Sequence, residues 1–141
     1  MKKVLFFSLL ILGVLSGCQS DKISMEISGS PITVDGGSYR NVTPQELTTM
    51  LSNKDFVFVN VHIPFAGDIA NTNLSIPYNE IEQNLSQLPA DFNAKIVLYC
   101  RSGHMSTIAA ETLVKIGYSN IWNLDGGMEA WQRAGYDIQG K

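Results

Sequence analysis

The chain has 141 residues, of which 45% are hydrophobic and 16% charged. These proportions fit one globular domain and exclude a disordered or collagen-like chain. A net charge of −3, with no Lys/Arg run beyond the first residues, excludes an electrostatic footprint for nucleic acid and a polybasic membrane patch.

The chain opens on a basic "MKK" and continues as an apolar run from Val4 to Gly17. That run is too short and too one-sided to identify it as a membrane span and has the form of a secretory signal. It ends Leu15-Ser16-Gly17-Cys18, which resembles the lipobox of bacterial lipoproteins. The resemblance implies cleavage before Cys18, lipidation of its thiol and a protein anchored to a membrane of the cell envelope, facing the periplasm or the exterior. An ordinary signal peptide, or a single anchor helix with a chance cysteine, is the alternative. Residues 1–17 are thus read as a signal peptide, 18–30 as a polar tether and 31–141 as the folded domain. Cys100 is then the one unmodified thiol, so no internal disulfide can form. A lone thiol in an oxidising compartment is a liability unless it has a use.

Within the domain, Ile32 to Val34 reads as a short strand before the turn "DGGS". Thr43 as N-cap, Pro44 at the first helical position and Glu46 three residues after the cap form a capping-box start. Leu47, Met50 and Leu51 follow at helical spacing. Phe56 to His62 and Lys95 to Cys100 are apolar on both faces, as buried parallel strands are. "EIEQNLSQL" predicts a short helix, and "STIAAETLVKIG" a longer one stopped by Gly117. Asn120 to Leu124 is a further strand, and "GGMEAWQRAG" a last helix that packs Trp131 into the core. Trp122 is an inner-face residue or a rim wall. Strands alternating with helices predict an α/β domain with a mainly parallel central sheet flanked by helices.

Binding sites in such sheets lie beyond the carboxyl ends of the strands. Cys100 ends a strand there, and "RSGHM" leads directly into a helix. A nucleophilic cysteine must ionise near neutral pH, and a helix N-terminus or nearby cations favour the thiolate. Backbone amides from Arg101 to Ser106 could form an anion nest, with Gly103 supplying the positive φ. Arg101 and His104 would add a cationic rim. A buried cysteine closing a core strand is the competing reading. A metal site is disfavoured because only His62 and His104 are available and no second unmodified cysteine exists.

The run from Ile96 to Trp131 resembles the C-terminal half of a rhodanese-like domain. The matching residues are Cys100-Arg101-Ser102-Gly103, Ser106, Ala109-Ala110, Gly117-Tyr118, Asn123-Leu124, Gly126-Gly127 and Ala130-Trp131. The first half matches more loosely, through "FVNVHIPFAGDI" and "SIPYNEI". The resemblance implies a three-layer rhodanese-like fold and a sulfurtransferase or persulfide carrier. Cys100 would take a sulfane sulfur from a small sulfur-containing donor and pass it to a thiol or other nucleophilic acceptor. Arg101, Ser102, Gly103, His104, Met105 and Ser106 would hold the substrate. No metal or organic cofactor is implied, and the domain is expected to work as a monomer.

Three departures qualify this expectation. Met105 stands where the family's loop usually has a cation, which puts turnover of thiosulfate in doubt. The family's Asp-Val-Arg is Asn60-Val61-His62, so neutral groups replace its ion-pair support and His62 becomes a possible rim residue. Asp68 and Ala70 replace the His and Pro of the family's Gly-His-Ile-Pro motif. A phosphatase would need an Arg at the end of Cys-x5-Arg, and that position holds Ser106. The alternative on the same fold is a non-catalytic binding module, and a redox sensor without a resolving cysteine is weaker still.

Overall fold

The computed structural model describes residues 26–141. The readings that concern the signal peptide, Cys18 and most of the tether lie outside these residues. Six strands form one sheet: β1 (Ser30–Val34), β2 (Gly37–Val42), β3 (Val57–Asn60), β4 (Leu74–Ser75), β5 (Ile96–Tyr99) and β6 (Ile121–Leu124). Their order is β1-β2-β6-β5-β3-β4. Only the β1–β2 pair is antiparallel; the other four pairings are parallel.

Three helices cover the sheet: α1 (Pro44–Ser52), α2 (His104–Ile116) and α3 (Gly127–Arg133). Period-two alternation sends neighbouring strand residues to opposite faces. Ile96, Leu98 and Cys100 therefore join Ala109, Ala110 and Leu113 of α2 in one cluster. Val97 and Tyr99 join Leu47 of α1 and Met128 and Trp131 of α3 in the other. All four residues of β5 are fully buried, which is why that strand reads as a continuous apolar run. The result is a three-layer α/β domain with a mainly parallel sheet.

α1 starts with the capping box expected of Thr43 and Glu46. The Glu46 amide donates to Thr43 Oγ1, and the Thr43 amide donates to Glu46 Oε2 at 2.8 Å. The segment predicted as a helix from Glu80 to Leu88 is instead two 3-10 turns, Tyr78–Glu80 and Glu82–Gln87, kinked at Asn84. Its polar residues compete locally for backbone groups, and Leu88 precedes a proline and is extended. Ile81 and Leu88 still seal the α2 face of the sheet.

β2 and β4 were not foreseen from the sequence. "GSYRNV" has little intrinsic strand preference, yet β2 is held between β1 and β6, whose ladders satisfy its backbone. β4 has only two residues beside β3. Trp131 packs as expected, buried against Tyr136 with its indole N–H on the Asp137 carbonyl. Trp122 is an inner-face residue: it lies opposite Val97, three residues before Cys100, and is 7% exposed.

Candidate active site

β5 ends at Tyr99, and the chain leaves the sheet through Cys100 to Gly103 before α2 begins at His104. The carbonyls at this strand end have no strand partner, and α3 supplies one for each. The Met128 amide donates to the Cys100 carbonyl, and the Glu129 amide to the Arg101 carbonyl, both at 2.9 Å. This contact requires backbone at van der Waals distance. A Cβ on Gly127, whose φ is +57°, would stand 2.3 Å from the Cys100 oxygen. The Gly126-Gly127 pair thus has a packing reason: it lets the start of α3 grip the loop.

Cys100 is 1% exposed. Its Sγ accepts the Gly103 N–H at 3.1 Å and the Ser106 hydroxyl at 3.4 Å. Gly103 reaches this position with φ of +101°, a conformation that strains any other residue. Ser106 is fully buried, and its Oγ also lies 3.1 Å from the Gly103 carbonyl. Of the anticipated nest, one amide and one hydroxyl touch the sulfur directly. The first helical amides, those of His104, Met105 and Ser106, have no acceptor within α2 by helix geometry.

Cys100 opens onto a hollow of about 230 Å³. Arg101 and Ser102 of its own loop and His104 and Met105 of the first turn of α2 share the lining with His62 and Glu129. His104, Arg101 and Ser102 are exposed, whereas Met105 is half-buried and packs on the α2-side core. Met105 therefore puts an apolar wall where a cation was expected. Arg101 is not a free cation either, since its Nε donates to Glu129 Oε1 at 3.1 Å. Sequence reasoning missed Glu129, whose only signal was its place after the Gly126-Gly127 pair. A neighbouring hollow of about 290 Å³ shares Arg101 and Glu129 but does not reach Cys100.

The support under the loop is neutral at Asn60 and His62, as expected, but Asp68 adds a carboxylate to it. Asn60 is fully buried, and its side-chain amide donates to the Gly67 carbonyl at 3.0 Å and to Asp68 Oδ1 at 2.8 Å. Its own Oδ1 accepts the His62 amide at 3.0 Å. Tyr99 donates to Asp68 Oδ1 at 3.1 Å and accepts the Ile69 amide at 3.0 Å. Burial, with the Asp68 charge adding, pushes the Tyr99 phenol well above its ordinary range, so it remains a donor. Asp68, read from the sequence only as a departure, is the carboxylate that joins these groups.

His62 follows Val61, whose amide donates to the Tyr99 carbonyl at 2.9 Å, so the parallel ladder carries it to the rim beside Cys100. Its Nδ1 is buried and meets no hydrogen-bond partner among the described residues. Burial first, and then the charge of Arg101, hold its pKa below 6.5. The folded protein thus binds this proton less readily than the unfolded chain, and stability falls as pH drops from 6.5 through the folded value. In urea titrations across that window, His62→Gln is expected to flatten the decline. An unchanged pH slope would mean that His62 does not feel the environment described.

Comparison with known proteins follows the same pattern. The family model described as "Rhodanese-like domain" matches residues 43–134. A protein named sulfurtransferase from Allochromatium vinosum is 33% identical over 91 residues, which are 63% of this chain and 83% of that one. The thiosulfate sulfurtransferase GlpE of Vibrio cholerae is 29% identical over 92 residues, covering 64% and 85%. Among solved structures, a rhodanese-related protein from Thermoplasma volcanium has a TM-score of 0.61 at 30% identity, covering 71% of this chain and 97% of that one. A rhodanese-like domain protein from Staphylococcus aureus gives 0.58 at 29%, covering 71% and 98%. With the strand-loop-helix around Cys100, the glycine-mediated docking of α3 and a family match over most of its length, this chain belongs to the rhodanese-like domain family.

Proposed function

We propose that the protein is a sulfurtransferase or persulfide carrier in which Cys100 is the nucleophile. The observation that carries this reading is the Cys100 sulfur itself, buried, held by the Gly103 amide and the Ser106 hydroxyl, and open to one small hollow. The Cys100 thiolate attacks the sulfane sulfur of a small donor. The donor's bond to that sulfur breaks, and its electron pair leaves with the donor remnant. The persulfide so formed extends one atom further into the hollow, where the first amides of α2 can receive its charge. An acceptor nucleophile then takes the outer sulfur and returns Cys100 as a thiolate.

Thiosulfate is a poor donor on this reading. Met105 supplies no charge, and Arg101 is engaged by Glu129. A thiol persulfide, whose sulfur terminus carries a single charge where thiosulfate is a dianion, suits the hollow better. We further propose that Cys18 is lipidated and holds the domain at a membrane of the cell envelope, facing the periplasm or the exterior. The support for this is the sequence at Leu15 to Cys18 alone.

After exposure to polysulfide or a thiol persulfide, intact mass of the domain from Ser20 onward is expected to show one added sulfur atom. A reducing thiol should remove it, and Cys100→Ser should lack it. If no donor loads the protein while Cys100 still alkylates, the site is a binding module rather than a sulfur carrier. Met105→Arg is expected to raise kcat/KM for thiosulfate about tenfold or more, the worth of one charge-assisted contact of roughly 1.5 kcal/mol. An unchanged ratio of thiosulfate to thiol-persulfide turnover would show that the missing cation is not what limits donor choice. In cells, a labelled fatty acid is expected on the full-length chain and not on Cys18→Ala; label on both would refute the anchor.

A further inference from the structure

A thiol that reaches Cys100 with its sulfur must place the rest of its body outside that hollow, and a second hollow adjoins it. This one has a volume of about 290 Å³ and is lined by Ala66, Arg101, Met128, Glu129, Gln132 and Lys141. Arg101 and Glu129 line both hollows, so the two are neighbours across one ion pair. A space of this size takes a small molecule rather than a segment of protein.

The second hollow has built walls. Met128, Glu129 and Gln132 stand on one side of α3, because residues three and four apart on a helix are neighbours. Facing them is the loop after β3, to which the C-terminal segment is fastened. Asp68 and Gln139 exchange backbone hydrogen bonds, both at 2.8 Å. Gly67 leaves room for this contact: a Cβ there would stand 2.7 Å from the Gln139 carbonyl oxygen and 3.2 Å from Lys141 Cγ. The stem of Lys141 therefore lies against the loop, where the residue joins the lining.

The floor is apolar, from Ala66 and the buried Met128. The rim is not electrically balanced. Arg101 and Glu129 neutralise one another through the Arg101 Nε contact. The terminal amino groups of Arg101 make no hydrogen bond among the described residues and remain available as donors. Lys141 has no carboxylate partner among the described residues, so its charge is uncompensated. A forked guanidinium edge beside a free ammonium group on an apolar floor fits a carboxylate carried on a short uncharged stem.

We infer that this hollow is a subsite for the body of small thiol substrates, and that it selects those bearing a carboxylate. Lys141 and the terminal amino groups of Arg101 receive the carboxylate, and the stem rests on Ala66 and Met128. The thiol end reaches past the Arg101–Glu129 pair to Cys100. This rests on the persulfide reading above; the subsite adds binding and leaves the chemistry as proposed there.

The test uses the domain preloaded with one sulfur on Cys100, verified by intact mass. Discharge is followed with N-acetylcysteine and with its carboxamide, which share a shape and differ in one charge. Sulfite, too small to span both hollows, is the control. Each half-saturating concentration is compared between wild type and variant, so that the different thiol pKa values of the two probes cancel. In Lys141→Gln, the value for N-acetylcysteine is expected to rise about threefold, the worth of one exposed charge contact, with no change for the carboxamide or sulfite. In Ala66→Leu, which fills the floor, it is expected to rise for both thiols and not for sulfite. No charge-dependent change in Lys141→Gln, no change for the thiols in Ala66→Leu, or an equal loss with sulfite would each overturn the subsite. Failure of the wild-type domain to carry sulfur at all would overturn the persulfide reading instead, an outcome seen before any acceptor is added.

Discussion

The site depends on two hydrogen bonds that tie the start of α3 to the end of β5. A strand that stops inside a protein leaves carbonyls that must be paired, and the amides of Met128 and Glu129 pair those of Cys100 and Arg101. Only glycine at 127 permits that approach, because a side chain would overlap the Cys100 carbonyl. With its backbone pinned from below, the loop turns tightly through Gly103 and presents the sulfur to the start of α2. The same contact puts Glu129 within reach of Arg101. One packing constraint thus sets both the position of the sulfur and the electrostatics of its rim.

The second constraint is a polar network in which Asp68 is the one carboxylate. Asn60, buried in the sheet, bridges the loop that follows β3, and the Tyr99 hydroxyl braces that loop from the neighbouring strand. Buried polar groups that are satisfied in this way hold a loop in one arrangement, since leaving any of them unpaired costs a large share of a domain's marginal stability. Relative to the family pattern that the sequence resembles, the support has lost charge, and the hollow has lost a cation at Met105. Both changes leave the rim with less positive charge to set against a small dianion. His62 lines the hollow from the same strand end, where no ion pair claims the space.

Much of this was legible from residue order. The apolar runs around Phe58 and Leu98, short and rich in β-branched and aromatic residues, read as buried strands. Thr43, Pro44 and Glu46 marked a helix start, and Gly103 between a strand-ending cysteine and a helix marked a tight loop. The segment from Glu80 to Leu88 was less legible, because a few apolar residues at helical spacing do not distinguish an α-helix from 3-10 turns when serine and asparagine fill the rest. β2 was hidden because its strand character comes from its neighbours on either side, not from its own side chains.

By itself the sequence determined the fold class, the place of Cys100 at a strand end, the neutral replacements at Asn60 and His62, and the missing cation at Met105. The first two follow from local periodicity and turn chemistry; the replacements at Asn60, His62 and Met105 follow from the resemblance to the family's motifs. The tertiary structure decided which donors touch the sulfur, that Arg101 is held by Glu129, that Asp68 joins Asn60 to Tyr99, and that His62 faces the same hollow as Cys100. The donors to the sulfur lie 3 and 6 residues from it, but Asp68 is 8 residues from Asn60 and 31 from Tyr99, and Arg101 is 28 from Glu129. No local pattern encodes them, because their geometry is fixed only when the parallel ladder sets the register and the helices close over both faces of the sheet.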